Sequence, residues 1–164
     1  MRNNLFVPSK LEYVRGQRPK VACILCAVAD NDERVERLVV YREAGFIVSL
    51  NLYPYSPGHL MIFPERHVLD IRELNDEEGT RLHQLTKLSL DILERIYQPY
   101  GFNLGYNIGR PSGASLEHLH LHIVPRYGNE VGFLDVINGA RVIVEDPLKT
   151  REKLKDAFQN PAVT

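Results

Sequence analysis

The chain contains only two cysteines and two methionines among 164 residues, too few thiols for a disulfide-stapled scaffold. It has no long block of Lys or Arg, and the formal net charge is -1. That excludes the electrostatic footprint of a polynucleotide binder or of a protein drawn to an acidic membrane. The longest unbroken apolar run, residues 21–29, has nine residues, against the roughly 20 a bilayer-spanning helix needs. Leu5-Phe6-Val7 is too short for a signal-peptide core, so the expected location is the cytoplasm. No internal repeat or low-complexity tract breaks the chain.

What is present suits one globular domain. Apolar residues make up 44% and charged residues 25%, and the length supports a single hydrophobic core. Residues 1–20, with Pro8, Gly16 and Pro19, read as an irregular N-terminal arm, and residues 21–164 as the domain. Residues 38–41 and 46–50 are short β-type runs joined through Arg42-Glu43-Ala44-Gly45 as a hairpin. Residues 60–63 make a third strand between Pro57-Gly58 and Pro64.

Asn75 followed by Asp76, Glu77 and Glu78 is a helix-start signal. Apolar positions at Leu82, Leu85, Leu88 or Ser89, Ile92 and Ile96 then predict one long amphipathic helix ending before Pro99, with His83 on its solvated side. Residues 102–108 alternate with period two, as a half-buried strand does. Residues 141–144 suggest a further strand or short buried segment, and Asp146-Pro147 opens a final helix to about Phe158. Strands in antiparallel order with helices set apart from them predict an α+β domain.

The run Glu117-His118-Leu119-His120-Leu121-His122-Ile123 puts three of the six histidines at alternate positions. In a strand these share one face, with Leu119, Leu121 and Ile123 on the core face, and neighbouring imidazoles stand roughly 7 Å apart. A row of solvated polar residues would rarely be three histidines. Imidazole offers a group that is largely neutral, hence nucleophilic, near pH 7 and yet able to carry a proton. The preceding loop, Gly109 to Ser115, is rich in glycine and small polar residues that expose backbone N–H groups to an anion. Together they suggest a phosphate cradle beside a nucleophile. Cys23-x-x-Cys26, in a reducing compartment, points to metal or redox chemistry, with two small buried hydrophobes as the competing reading.

HLHLHIV fits the histidine triad pattern, and NLYPYSPGHLMIFPERH and NIGRPSGASLEHLHLHIVPRYG resemble that superfamily's nucleotide-binding segment, phosphate loop and triad over most of residues 21–127. Within the superfamily the chain is most similar to the bacterial diadenosine tetraphosphate phosphorylase branch. The resemblance implies a five-stranded antiparallel sheet with one long helix and a C-terminal helix. It implies a homodimer that joins two such sheets. His120 would be the nucleophile, His122 would touch the phosphate and handle the leaving group's proton, and Ser115 would bond to phosphate or leaving group. Gly113 and Ala114 would offer loop backbone, Asn107 would lie near the phosphate and Asn51 on the ribose. Capping a turn before Pro54 and capping the loop are the competing roles of Asn51 and Ser115. Ala114 stands where many members have Gln, which alters contacts to the leaving phosphates.

The resemblance also implies a structural Zn2+ held by Cys23, Cys26, His67 and His118. His59 is a rival fourth ligand, better placed near the triad. The implied activity is cleavage of a dinucleoside polyphosphate through a nucleotidyl-histidine, by hydrolysis or with inorganic phosphate as co-substrate. A phosphoramidase releasing AMP from adenylylated amines and a nucleotide-binding regulatory protein are the alternatives.

Overall fold

The computed structural model of the chain describes residues 19–128 and 145–161. Most of the expected N-terminal arm and the segment expected at residues 141–144 lie outside these. Strands β1 (Val39–Glu43), β2 (Phe46–Leu50), β3 (Leu60–Pro64), β4 (Gly101–Tyr106) and β5 (Leu121–Arg126) form one antiparallel sheet in the order β1-β2-β3-β5-β4. Helix α1 (Ile24–Ala29) precedes them, α2 (Asp76–Tyr97) lies between β3 and β4, and α3 (Pro147–Gln159) follows β5.

The local signals explain these elements. Asn75 accepts from the Glu78 N–H while the Glu78 carboxylate takes the Asn75 N–H, a reciprocal capping box at the start of α2. Asp146 caps α3 through the Leu148 N–H, with Pro147 at the first helical position. The β1–β2 connection is tighter than expected: only Ala44 and Gly45 turn, both at positive φ, so β1 runs on to Glu43.

Strands β2 and β3 are buried along their whole length because both faces of the sheet are covered. On one face Val48, Leu50, Leu60, Ile62, Leu121 and Ile123 pack with Leu85, Ile92, Leu93, Leu154 and Phe158 of α2 and α3. On the other, Ile47, Met61 and Phe63 pack with Leu25, Ala27 and Val28 of α1. Strand β4 ends at Tyr106 rather than at residue 108, and it is less buried than its alternation suggested: Leu104 is 46% exposed. The reason is its place at the sheet edge. Ordinary strand pairing in the triad run begins only at Leu121, so His118 and His120 sit in the lead-in to β5. That lead-in is tied elsewhere, through the Leu119 N–H to the Val68 carbonyl at 2.7 Å.

Register places the site. Ser49 of β2 pairs with Met61 of β3, Met61 with His122 of β5, and His122 with Gly105 of β4. Directly opposed residues share a face, so His122 lies on the α1 face while Leu121 and Ile123 feed the α2 face.

Candidate functional site

The histidine row is not a solvated face. His118 and His120 are 1% and 4% exposed, and His59 is fully buried. The expected equal spacing is also broken. His120 and His122 rings lie 4.7 Å apart, edge to face, while His118 turns to His67, 5.0 Å away. The histidines therefore belong to two sites.

Toward the cavity, hydrogen bonds fix the tautomers. His120 Nδ1 is 2.7 Å from the His118 carbonyl; a carbonyl only accepts, so Nδ1 carries the proton and Nε2 keeps its lone pair. The Tyr55 N–H donates to His59 Nδ1 at 3.1 Å, so His59 is protonated on Nε2. That N–H lies 3.0 Å from His122 Nδ1, which therefore accepts and leaves His122 with Nε2–H as its donor. The Tyr55 ring stacks on His59 at 5.0 Å. Gly58, at φ +76, delivers His59 to this position, and a Cβ there would stand 3.1 Å from Leu93 and Tyr97.

Burial keeps these imidazoles neutral. It pushes His59 down to about 3, with repulsion from His122 and His120 adding to the effect. Burial, then the neighbouring His120, lowers His122 to about 4. His120 is lowered by burial and partly restored by its bond to the His118 carbonyl. The site thus presents a bare imidazole nitrogen beside an imidazole N–H at neutral pH.

Both rings open on a cavity of about 340 Å³, within the roughly 300–1,000 Å³ of small-molecule sites. One end is apolar, walled by Leu25, Val28, Val35, Phe63 and Leu116; the other holds Asn51, Asn107, Gly113 and Ser115 with the histidines. Asn51 Oδ1 accepts from the Tyr53 N–H at 2.9 Å, so it does cap a turn, while the same side chain lines the cavity. The loop before the triad coils into a 3-10 turn over Arg110–Ser112, closed by Gly113 at φ +92. Ala114 is half-buried and Ser115 exposed.

The other site lies across the His118–Leu119 backbone. Cys23 caps α1 and Cys26 lies in its first turn, and the ligand atoms of Cys23, Cys26, His67 and His118 all fall within 4.8 Å of one another. His118 Nδ1 is 3.5 Å from each sulfur, and His67 Nδ1 is 3.2 Å from Cys26 Sγ. His118 Nε2 donates to the Pro64 carbonyl at 2.9 Å, turning the Nδ1 lone pair to the sulfurs. Burial, then Cys23, pushes the Cys26 thiol up to about 11, a penalty that a cation relieves by taking the sulfur as thiolate. These four residues could hold a metal ion. His59 is not among them.

Sequence reasoning missed the Tyr55 N–H, the His59–His122 bond and the apolar wall from α1. All three depend on contacts between segments far apart in sequence or inside a turn with no periodicity.

A cleft with an apolar end, neutral paired imidazoles and a neighbouring Cys/His cluster defines a class, and similarity to known proteins agrees with it. The HIT domain family pattern matches residues 33–129, and the chain belongs to that family. It is 42% identical over 120 residues to an AP-4-A phosphorylase of Mycobacterium tuberculosis, covering 73% of this chain and 62% of that protein. The chain therefore spans less than two thirds of that relative's length. A Bis(5'-nucleosyl)-tetraphosphatase [asymmetrical] of Schizosaccharomyces pombe is 31% identical over 88 residues, 54% of this chain and 48% of that one. Among solved structures, a Zn-bound histidine triad family protein from Mycobacterium smegmatis superposes with a TM-score of 0.70 at 22% identity, over 85% of this chain and 95% of that one. At that identity the likeness is one of fold. Among the described residues no helix is long and apolar enough to cross a membrane.

Proposed function

We propose that this chain cleaves dinucleoside polyphosphates, diadenosine tetraphosphate foremost, through a nucleotidyl-histidine on His120. The observation that carries this is the pair of fixed tautomers: a lone pair on His120 and, one ring away, an N–H on His122. The apolar end of the cavity takes the base, Asn51 the ribose, and Asn107, Ser115 and the Gly113-Ala114 backbone the phosphates.

His120 Nε2 attacks the α-phosphorus and forms a P–N bond. The bridging P–O bond breaks, and the leaving nucleoside polyphosphate departs with its electron pair. Donors fixed around the phosphate, with the His122 N–H among them, stabilise the charge that develops. In the second displacement the acceptor oxygen attacks the same phosphorus, the P–N bond breaks and His120 regains its lone pair. The 42% identity to an AP-4-A phosphorylase favours inorganic phosphate as acceptor.

Zn2+ suits the cluster. Two thiols and two imidazoles are the sulfur and nitrogen donors this ion prefers, and their ligand atoms lie within 4.8 Å of one another. Bound there, the ion would be structural, with Cys23, Cys26, His67 and His118 clamping α1 and the β3 exit to the lead-in of β5. The open edge of β4, with Leu104 exposed, supports a homodimer continuing the sheet. Substrates of this class and reduced thiols suit the cytoplasm. The test is to supply diadenosine tetraphosphate with and without inorganic phosphate. ADP and ATP formed only with phosphate support phosphorolysis; AMP and ATP without it mean hydrolysis; no turnover in either arm overturns the reading.

A further inference from the structure

His122 borders a second concavity. On its β4 side an open groove of about 470 Å³ runs along the sheet, and Tyr55, Asn107 and His122 line both it and the first cavity. The two therefore meet at the histidine that faces the departing oxygen. Register sets the groove's floor: Gly105 lies opposite His122 and Asn103 opposite Val124. With Arg126 two residues further on, these side chains share one face of the sheet. Gly105 leaves bare backbone beside His122, since a Cβ there would meet nothing within 4 Å. Arg126 is exposed and donates to Asn103 Oδ1 at 3.0 Å, which steadies its guanidinium along the groove. From His122 to Arg126 is about 13 Å of strand, a span suited to several linked phosphates.

We propose that this groove holds the leaving half of the substrate, a nucleoside polyphosphate, and that Arg126 binds its distal phosphates. This rests on the reading of the first cavity as the site of the nucleotide that is transferred. The groove then sets how long a leaving chain is accepted, independently of how the first nucleotide is held.

The experiment is calorimetric binding to a His120→Asn protein, which holds ligand without turning it over, using diadenosine tetraphosphate and AMP as separate probes. Adding Arg126→Ala should weaken the dinucleotide roughly tenfold to a hundredfold while AMP changes less than about twofold, and Arg126→Lys should recover part of the loss. Gly105→Val, which fills the groove without entering the core, should also weaken the dinucleotide alone. Equal losses for both probes, or no loss for the dinucleotide in either variant, overturn the subsite. If His120→Asn binds neither probe, the nucleotide reading itself falls and the subsite with it; the wild-type turnover assay separates that case.

Discussion

His118 and His120 are two residues apart, equally buried and both tied to a backbone carbonyl, yet they use opposite nitrogens. The Pro64 carbonyl takes Nε2 of His118 and leaves Nδ1 for two sulfurs. The His118 carbonyl takes Nδ1 of His120 and leaves Nε2 for the cavity. Residue type is the same at both positions, so which nitrogen the main chain claims decides what each imidazole offers: His118 turns Nδ1 to the sulfurs and His120 turns Nε2 to the cavity.

Breaking the catalytic side should show first in rate. His120→Ala should lower turnover of diadenosine tetraphosphate by roughly 10^4- to 10^6-fold with little change in melting temperature; steady-state kinetics beside a melting curve checks both, and near-normal turnover refutes the nucleophile. His122→Ala should cost about 10²- to 10⁴-fold, the loss shrinking for substrates whose leaving group needs no proton. His59→Leu should cost roughly 10- to 100-fold, because His122 then lacks the partner that fixes its tautomer. A His59→Leu enzyme as fast as wild type would show that the Tyr55–His59–His122 chain of hydrogen bonds is idle.

Breaking the cluster side should reverse the pattern. Cys23→Ser or His67→Ala should abolish stoichiometric zinc and lower the melting temperature by roughly 10 °C, with activity at permissive temperature falling less than about tenfold. Metal analysis, differential scanning calorimetry and rate measurement on one preparation decide it. A folded, fully stable protein without zinc contradicts a structural ion.

The buried imidazoles also make stability depend on pH. His59 and His122 sit near 3 and 4 in the folded chain, below the 6.5 of a free imidazole. Between these values the unfolded chain binds protons that the folded site refuses. Stability is therefore present above about pH 6.5 and declines as pH falls toward 4. Urea midpoints at intervals across that window should drop, and should drop less in His59→Leu; a flat profile contradicts the neutral, buried pair.

Local signals carried much of the architecture. The Asn75–Glu78 box, the Asp146-Pro147 start and the apolar periodicity between them and Phe158 specify two helices without reference to the rest of the fold. The triad was legible for the same reason, as an alternation no ordinary strand requires. Helix α1 was not, because nine consecutive apolar residues carry no period to mark the face that Leu25, Ala27 and Val28 bury. Nor was the lead-in of β5: whether His118 and His120 join the ladder depends on Val68 and Pro64, some 50 residues earlier. The pairing of His59 with His122 has the same long-range origin, and the sequence could place His59 only near the triad.

In the proposed mechanism His120 Nε2 forms the covalent bond. Rapid quenching of enzyme with α-labelled diadenosine tetraphosphate, in the absence of phosphate, should trap an acid-labile, base-stable phosphoramidate. Peptide mapping and phosphorus–nitrogen NMR should place it on Nε2 of His120. Label on another residue, on Nδ1, or no covalent species under single-turnover conditions would rule out His120 Nε2 as the nucleophile.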